Sequence, residues 1–265
     1  MCKSRADVSA GRWFRDITRS YQNPRVRLVC FPHAGGTASY FREWGRLVPD
    51  DIQVLAVRYP GREDRLLEPF AESMEELADG VLQAVSSLSD APVAFFGHSM
   101  GASVAYEVAL RLGARSGPWP AALFLSGRCG PGRDRTRGLA NASDAELIDD
   151  VVGMGGTDAQ AFADPELREL VLPVIRADYG LVERYRSRIP SPELDVPVVV
   201  YYGDTDPALD GDSVAAWQAV TRGPFRVRRF TGGHFYLADH AHALVDDLLA
   251  RLDSLPEEQV RRRPV

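Results

Sequence analysis

The sequence is poor in cysteine. Cys2, Cys30 and Cys129 are few, odd in number and far apart, which excludes a disulfide framework and a C-x-x-C metal or redox site. It has no apolar run approaching the ~18 residues of a membrane span, so no transmembrane helix is expected. The opening Met1-Cys2-Lys3-Ser4-Arg5-Ala6-Asp7 lacks the apolar core of a secretory signal, and a cytoplasmic protein is the expectation. A basic excess is missing too: the formal net charge is −6, which argues against general nucleic-acid binding. Neither G-x-x-x-x-G-K-[ST] nor a post-strand G-x-G-x-x-G occurs, so no phosphate-cradling loop is predicted. His33 and His98 have no zinc-ligand spacing. No metal and no resident cofactor are expected.

What is present is an alternation. The 265 residues, 45% apolar and 26% charged, suit one large domain with a deep core. Apolar runs at 26–31, 52–57, 92–96, 121–126 and 197–202, and an alternating run at 225–230, read as strands. Helical patterns fall between and after them, at 39–47, 73–88, 102–112, 212–220 and 241–252. Ser73 is the predicted N-cap of its helix, with Glu76 completing a capping box. Apolar strands alternating with helices specify an α/β protein: a mostly parallel sheet with helices on both faces. Trp13-Phe14 is expected to cover the core edge, and Cys30 to be a small core residue.

The alternation breaks after residue 126. Residues 127–137 are rich in Gly and Arg, and two helical segments follow at 143–152 and 164–186. The second opens on Asp164-Pro165, an N-cap followed by proline at the first helical position. A structureless excursion of about 60 residues is unusual in a compact domain, so a helical lid over the site is predicted. The expected organisation is a core of 13–127 and 195–253, a lid of 128–194, and flexible termini at 1–12 and 254–265. Arg128, Arg133, Arg135 and Arg137 form a basic run at the lid entry. It reads either as a solvated face or as a docking patch for an acidic partner.

The chemistry centres on Gly97-His98-Ser99-Met100-Gly101, which follows a strand and opens a helix. In that context G-x-S-x-G is a nucleophile elbow. The serine sits on a strained turn, the glycines let strand and helix approach, and the helix N-terminus favours developing negative charge. A serine hydroxyl needs a base, and the base an orienting acid. His234, in a Gly-Gly turn directly after a strand, is the candidate base; His240 and His242 read as surface residues of the last helix. The acid belongs in a post-strand loop between Ser99 and His234, and Gly203-Asp204-Thr205-Asp206-Pro207 supplies Asp204 and Asp206. Asp195, Asp210 and Asp212 read as solvent-facing or capping. One oxyanion donor is the Met100 backbone N–H; the other lies in Pro32-His33-Ala34-Gly35-Gly36, at an amide that spacing does not identify. His33 either lines the site or is a satisfied loop histidine.

Taken in order, Phe31-Pro32-His33-Ala34-Gly35-Gly36, Tyr59-Pro60-Gly61-Arg62-Glu63-Asp64-Arg65, Phe96-Gly97-His98-Ser99-Met100-Gly101-Ala102, Gly203-Asp204-Thr205-Asp206-Pro207 and Gly232-Gly233-His234-Phe235-Tyr236 resemble the stand-alone type II thioesterases of polyketide and nonribosomal peptide assembly lines. The likeness runs from Trp13 to about Leu252. It implies the α/β-hydrolase fold, a Ser99, Asp206, His234 triad, and oxyanion donors at Ala34 and Met100. It also implies a mobile lid over a channel for a phosphopantetheine arm, and acyl or peptidyl carrier proteins as partners. Small acyl thioesters are the expected surrogate substrates, with neither nucleic acid nor membrane involved. Two rival readings share the fold: a small-oxoester carboxylesterase and a noncatalytic binding protein.

Overall fold

The chain builds one seven-stranded sheet in the order β1-β3-β2-β4-β5-β6-β7. The computed structural model describes residues 11–19, 23–88, 91–114, 120–134, 136–156, 162–189, 191 and 193–255. The strands are β1 (Phe14–Asp16), β2 (Val26–Phe31), β3 (Ile52–Val57), β4 (Val93–His98), β5 (Leu123–Ser126), β6 (Val198–Gly203) and β7 (Phe225–Phe230). β1 runs antiparallel to β3, and all other pairings are parallel. β2, β3, β4 and β5 are buried at every residue. That is why they read as unbroken apolar runs: both faces of a parallel sheet are covered.

Side chains alternate between two cores because successive Cβ atoms point to opposite faces. Val29, Phe31, Phe95 and Leu125 pack with α1 (Met74–Val85) and α2 (Met100–Gly113). Leu28, Cys30, Phe96 and Phe124 pack on the other face with Phe41 and Trp44 and with Leu244 and Leu248 of the closing helix. Cys30 is fully buried, and that burial pushes its thiol up. Phe14 enters the first core from the edge strand β1, as the aromatic pair at 13–14 predicted.

Between β5 and β6 lie α3 (Asp144–Gly153) and α4 (Pro165–Arg184). Leu147, Val151, Phe162, Leu172 and Ile175 form a third apolar cluster there. Ser143 and Glu146 make a reciprocal capping box on α3, and the Asp164 carboxylate accepts from the Glu166 and Leu167 amides to cap α4. Arg176 joins α4 to the chain before α3 through the Ala140 and Ala142 carbonyls and Asp144. After β6 come α5 (Gly211–Ala215), α6 (Tyr236–Asp239) and α7 (Ala241–Asp253). Asp210 caps α5, as anticipated.

Two predicted helices are wound more tightly. Ala38–Arg46 is a 3-10 helix, with Ala38, Phe41 and Trp44 buried. Phe41 and Trp44 both reach Phe96, at 6.0 and 4.7 Å. A stripe spaced by three is what three residues per turn presents to one surface. The segment expected as one helix over 212–220 is α5 followed by a 3-10 turn, Ala216–Val220, and again Val214, Trp217 and Val220 face inward at that spacing. The Ser73 cap forms, accepting from the Glu76 amide. The Glu76 carboxylate, however, accepts from the Glu72 amide, one residue before the expected partner. Of the termini expected to be flexible, 1–12 and 254–265, residues 1–10 and 256–265 lie outside the described residues, while Arg12 pairs with Glu68 and Ser254 is the C-cap of α7.

Candidate active site

Ser99 stands between β4 and α2 with φ 54° and ψ −117°. This backbone region is rarely adopted by a residue with a side chain and is held only by its surroundings. Those surroundings are glycines. A Cβ at Gly97 would lie 2.3 Å from the Gly101 carbonyl oxygen, and one at Gly101 would lie 2.0 Å from that of Phe31. The Ser99 amide donates to the Ser126 carbonyl at 2.8 Å, tying the turn to β5. The hydroxyl does not cap α2; Ser99 lines a cavity of about 380 Å³ with His33, Ala34, Gly35 and His234.

The loops after β6 and β7 are laced together. Asp204 N–H donates to Phe230 O at 2.8 Å, Thr205 N–H to Gly232 O at 3.0 Å, and Gly232 N–H to Asp204 Oδ1 at 3.0 Å. Gly203 lets them meet, since a Cβ there would lie 2.1 Å from Gly233 O. This lacing brings Asp206 to His234. Asp206 Oδ2 stands 2.7 Å from His234 Nδ1, and Oδ1 accepts from the Ala208 amide at 2.9 Å. Both residues are buried. A carboxylate there keeps the proton on Nδ1 and leaves Nε2 as the basic atom. Asp204 is occupied in the turn, so the two aspartates have separate tasks.

Behind His234 lies a chain that the sequence reading did not anticipate. His98 Nδ1 stands 2.9 Å from Ser126 Oγ, which stands 2.7 Å from the Tyr236 hydroxyl. The His98 ring is 4.9 Å from His234, and the His33 ring 5.9 Å from His98. Burial, reinforced by His234, pushes His98 well below its ordinary value and holds His33 at about 3. Both therefore stay neutral beside the candidate base. The one prior signal was Ser126, a polar residue ending an otherwise apolar run.

In the 32–36 turn, Gly35 N–H donates to Asp178 Oδ2 at 2.7 Å and Gly36 N–H to His33 O at 2.9 Å. Pro32 has no N–H. The amides of His33 and Ala34 remain as donor candidates, and both residues line the cavity. Met100 N–H belongs to the first turn of α2, where no carbonyl of the helix accepts it. The second missed feature is the partner set of Asp178, a buried pair with Arg62. Asp178 is one of four acids in α4, with Glu166, Glu169 and Glu183, and nothing in the sequence set it apart from them.

The arginine run is less free than its charge suggests. Arg128 pairs with Asp134 at 2.6 Å, and Arg137 pairs with Asp150. Arg133 is exposed at the cavity margin, and Arg135 lies outside the described residues. No helix among the described residues is long and apolar enough to cross a membrane.

A serine of unusual backbone conformation at the head of a helix and a buried His–Asp pair on the adjoining loops are the arrangement expected of a serine hydrolase of the α/β-hydrolase fold. Residues 26–252 match the thioesterase domain family, and the chain belongs to that family of thioester hydrolases. It is 42% identical to thioesterase PikA5 of Streptomyces venezuelae over 91% of this chain and 86% of that one. Among solved structures, the type II thioesterase BorB from the borrelidin biosynthetic cluster superposes with a TM-score of 0.83 at 37% identity, covering 95% of this chain and 100% of that one. RedJ, a thioesterase from the prodiginine pathway of Streptomyces coelicolor, gives 0.80 at 38% identity over 91% and 94%.

Proposed function

We propose that this thioesterase removes acyl groups from the phosphopantetheine arms of acyl or peptidyl carrier proteins, through an acyl-enzyme on Ser99. The observation that carries the reading is the buried 2.7 Å His234–Asp206 pair, whose histidine lines the cavity that Ser99 also lines. His234 Nε2 takes the Ser99 proton as Oγ attacks the thioester carbonyl. The resulting oxyanion is held by the amides of Met100 and Ala34. The C–S bond breaks, and the carrier thiol leaves with the proton from the imidazolium. Water then loses a proton to His234 and attacks the acyl-serine ester. The ester C–O bond breaks, Ser99 regains its proton, and the free acid departs. Asp206 orients the imidazole throughout and stabilises its charged form.

Segment 128–194 is the proposed lid. Leu139, Val151, Met154, Val171 and Ile175 from this segment roof the cavity and supply an apolar wall for the acyl group. Arg133 is placed to meet an acidic carrier or the phosphodiester of its arm. Likeness to a type II thioesterase of a biosynthetic cluster supports an editing task, in which stalled acyl groups are cleared from a synthase. The test is hydrolysis of acyl-carrier protein and of acyl–N-acetylcysteamine by the wild type and Ser99→Ala. Loss of at least ~10³-fold in kcat is expected for both substrates; undiminished release by the variant refutes the mechanism.

A further inference from the structure

Asp178 lies on α4, outside the triad, and is 1% exposed. A carboxylate so placed persists only if it is fully partnered, and it is. Arg62 meets it with both terminal nitrogens, Nη1 to Oδ2 at 2.6 Å and Nη2 to Oδ1 at 2.8 Å. The Gly35 amide adds a third bond to Oδ2 at 2.7 Å. Arg62 also donates to Gly36 O at 3.2 Å and to Pro60 O at 3.3 Å, and sits over the Tyr59 ring. The Tyr59 hydroxyl donates to Pro32 O at 3.3 Å. The 32–36 turn is thus gripped at Pro32, Gly35 and Gly36. One helical turn before Asp178, Ile175 is seated on the same place: a Cβ at Gly35, whose φ is +76°, would lie 2.6 Å from Ile175 Cγ1.

An ion pair is a poor device for merely seating a helix. Apolar residues of similar volume do so as well or better, because burying two charges offsets most of their attraction. What a bidentate, hydrogen-bonded pair adds is direction. Here the direction is imposed on the peptide units of the turn that carries the second oxyanion donor. The Gly35 amide is turned to α4 and the Gly36 carbonyl to Arg62, which together fix the Ala34–Gly35 and Gly36–Thr37 peptide planes.

We infer that Asp178 and Arg62 are a positioning pair for the oxyanion turn, so that transition-state stabilisation requires α4 to be seated on the core. The inference rests on the acyl-enzyme reading above. It makes the inserted segment part of the catalytic apparatus and not only a cover: a displaced α4 removes the acceptor for Gly35 and releases the turn.

The test compares wild type, Ser99→Ala, Asp178→Ala, Asp178→Asn and the double variant Arg62→Met/Asp178→Leu, each checked by circular dichroism. The double variant removes both charges and keeps apolar volume, so it retains the fold where a single change leaves a buried charge unpaired. Measured are kcat and KM for acyl–N-acetylcysteamine, and the affinity for a boronic acid that forms a tetrahedral adduct at serine. Losing one oxyanion donor lowers kcat by about 10²–10³-fold. Asp178→Ala and the double variant are expected in that range, with KM within about threefold and boronate affinity falling in step, the pattern of an interaction made in the transition state. Asp178→Asn, which keeps an acceptor for Gly35, is expected to recover at least tenfold. A folded double variant with wild-type kcat and boronate affinity, alongside an inactive Ser99→Ala, overturns the positioning role alone. Full activity in Ser99→Ala overturns the underlying reading and this inference with it.

Discussion

Acidification from pH 7 to 5 is expected to weaken the fold through two histidines that do no proton transfer. His33 is packed edge-on against Tyr40 and Phe235 at 4.7 and 4.8 Å, and His98 is completely buried. Among the described residues, His33 Nδ1 and His98 Nε2 have no hydrogen-bond partner. Burial, then the neighbouring His234 and Arg62, holds His33 at about 3, against an ordinary value of 6.5. Burial, then His234 and His33, holds His98 well below the same value. As pH falls through 6.5 the unfolded chain gains a proton on each residue and the folded chain does not. Stability is therefore complete above 6.5 and is lost progressively below it, down to about 3 for His33. For His33 the slope is ~1.4 kcal/mol per pH unit, or about 2 kcal/mol by pH 5, and His98 adds to the loss in the same direction; an ordinary domain stability is roughly 5–15 kcal/mol. Carboxylates in an unfolded chain titrate near 4, so they contribute little in this window. Urea unfolding followed by tryptophan fluorescence at half-unit steps from pH 7 to 5 measures the slope, and His33→Gln should reduce it by about 1.4 kcal/mol per pH unit. A wild-type loss below ~1 kcal/mol across that range would refute the reasoning.

Two further outcomes bear on the site. Asp206→Asn should lower kcat about 10³–10⁴-fold by removing the acceptor that fixes the imidazole tautomer, while Asp204→Asn, on the turn side of the same loop, should stay within about tenfold. Equal losses in steady-state assays would mean that the two aspartates are not divided as the geometry indicates. Gly127→Ala should lower activity and stability together: φ is +63°, and the new Cβ would lie 2.6 Å from His98 Cε1 and 3.2 Å from His234 Cε1. The expected stability loss is roughly 1–3 kcal/mol, read from the urea midpoint, and an unshifted midpoint would contradict it.

What the sequence by itself determined is whatever a short stretch of chain imposes on its own backbone. Val26–Phe31, Ile52–Val57 and Phe225–Phe230 were readable residue for residue, because strand periodicity is a property of neighbours. The Ser99 turn was readable for the same reason: its glycines, the preceding strand and the following helix are contiguous. Helix winding was less so. A stripe at 38, 41 and 44 fits 3.6 residues per turn nearly as well as three, and the tighter winding is seen only in the folded backbone. Residue types in the 203–207 loop left Asp204 and Asp206 open, and only the resemblance pointed to Asp206; the tertiary structure adds the contacts, Asp206 to His234 and Asp204 to the Gly232 amide, which depend on how that loop laces to the one after β7. It alone paired Arg128 and Arg137 with Asp134 and Asp150, so two of the four arginines of the apparent basic patch carry an acidic partner. It alone joined Arg62 to Asp178, 116 positions apart. The physical division is between torsional and packing preferences, which act within a few residues, and electrostatic partnerships, which form only where the chain has already been folded together.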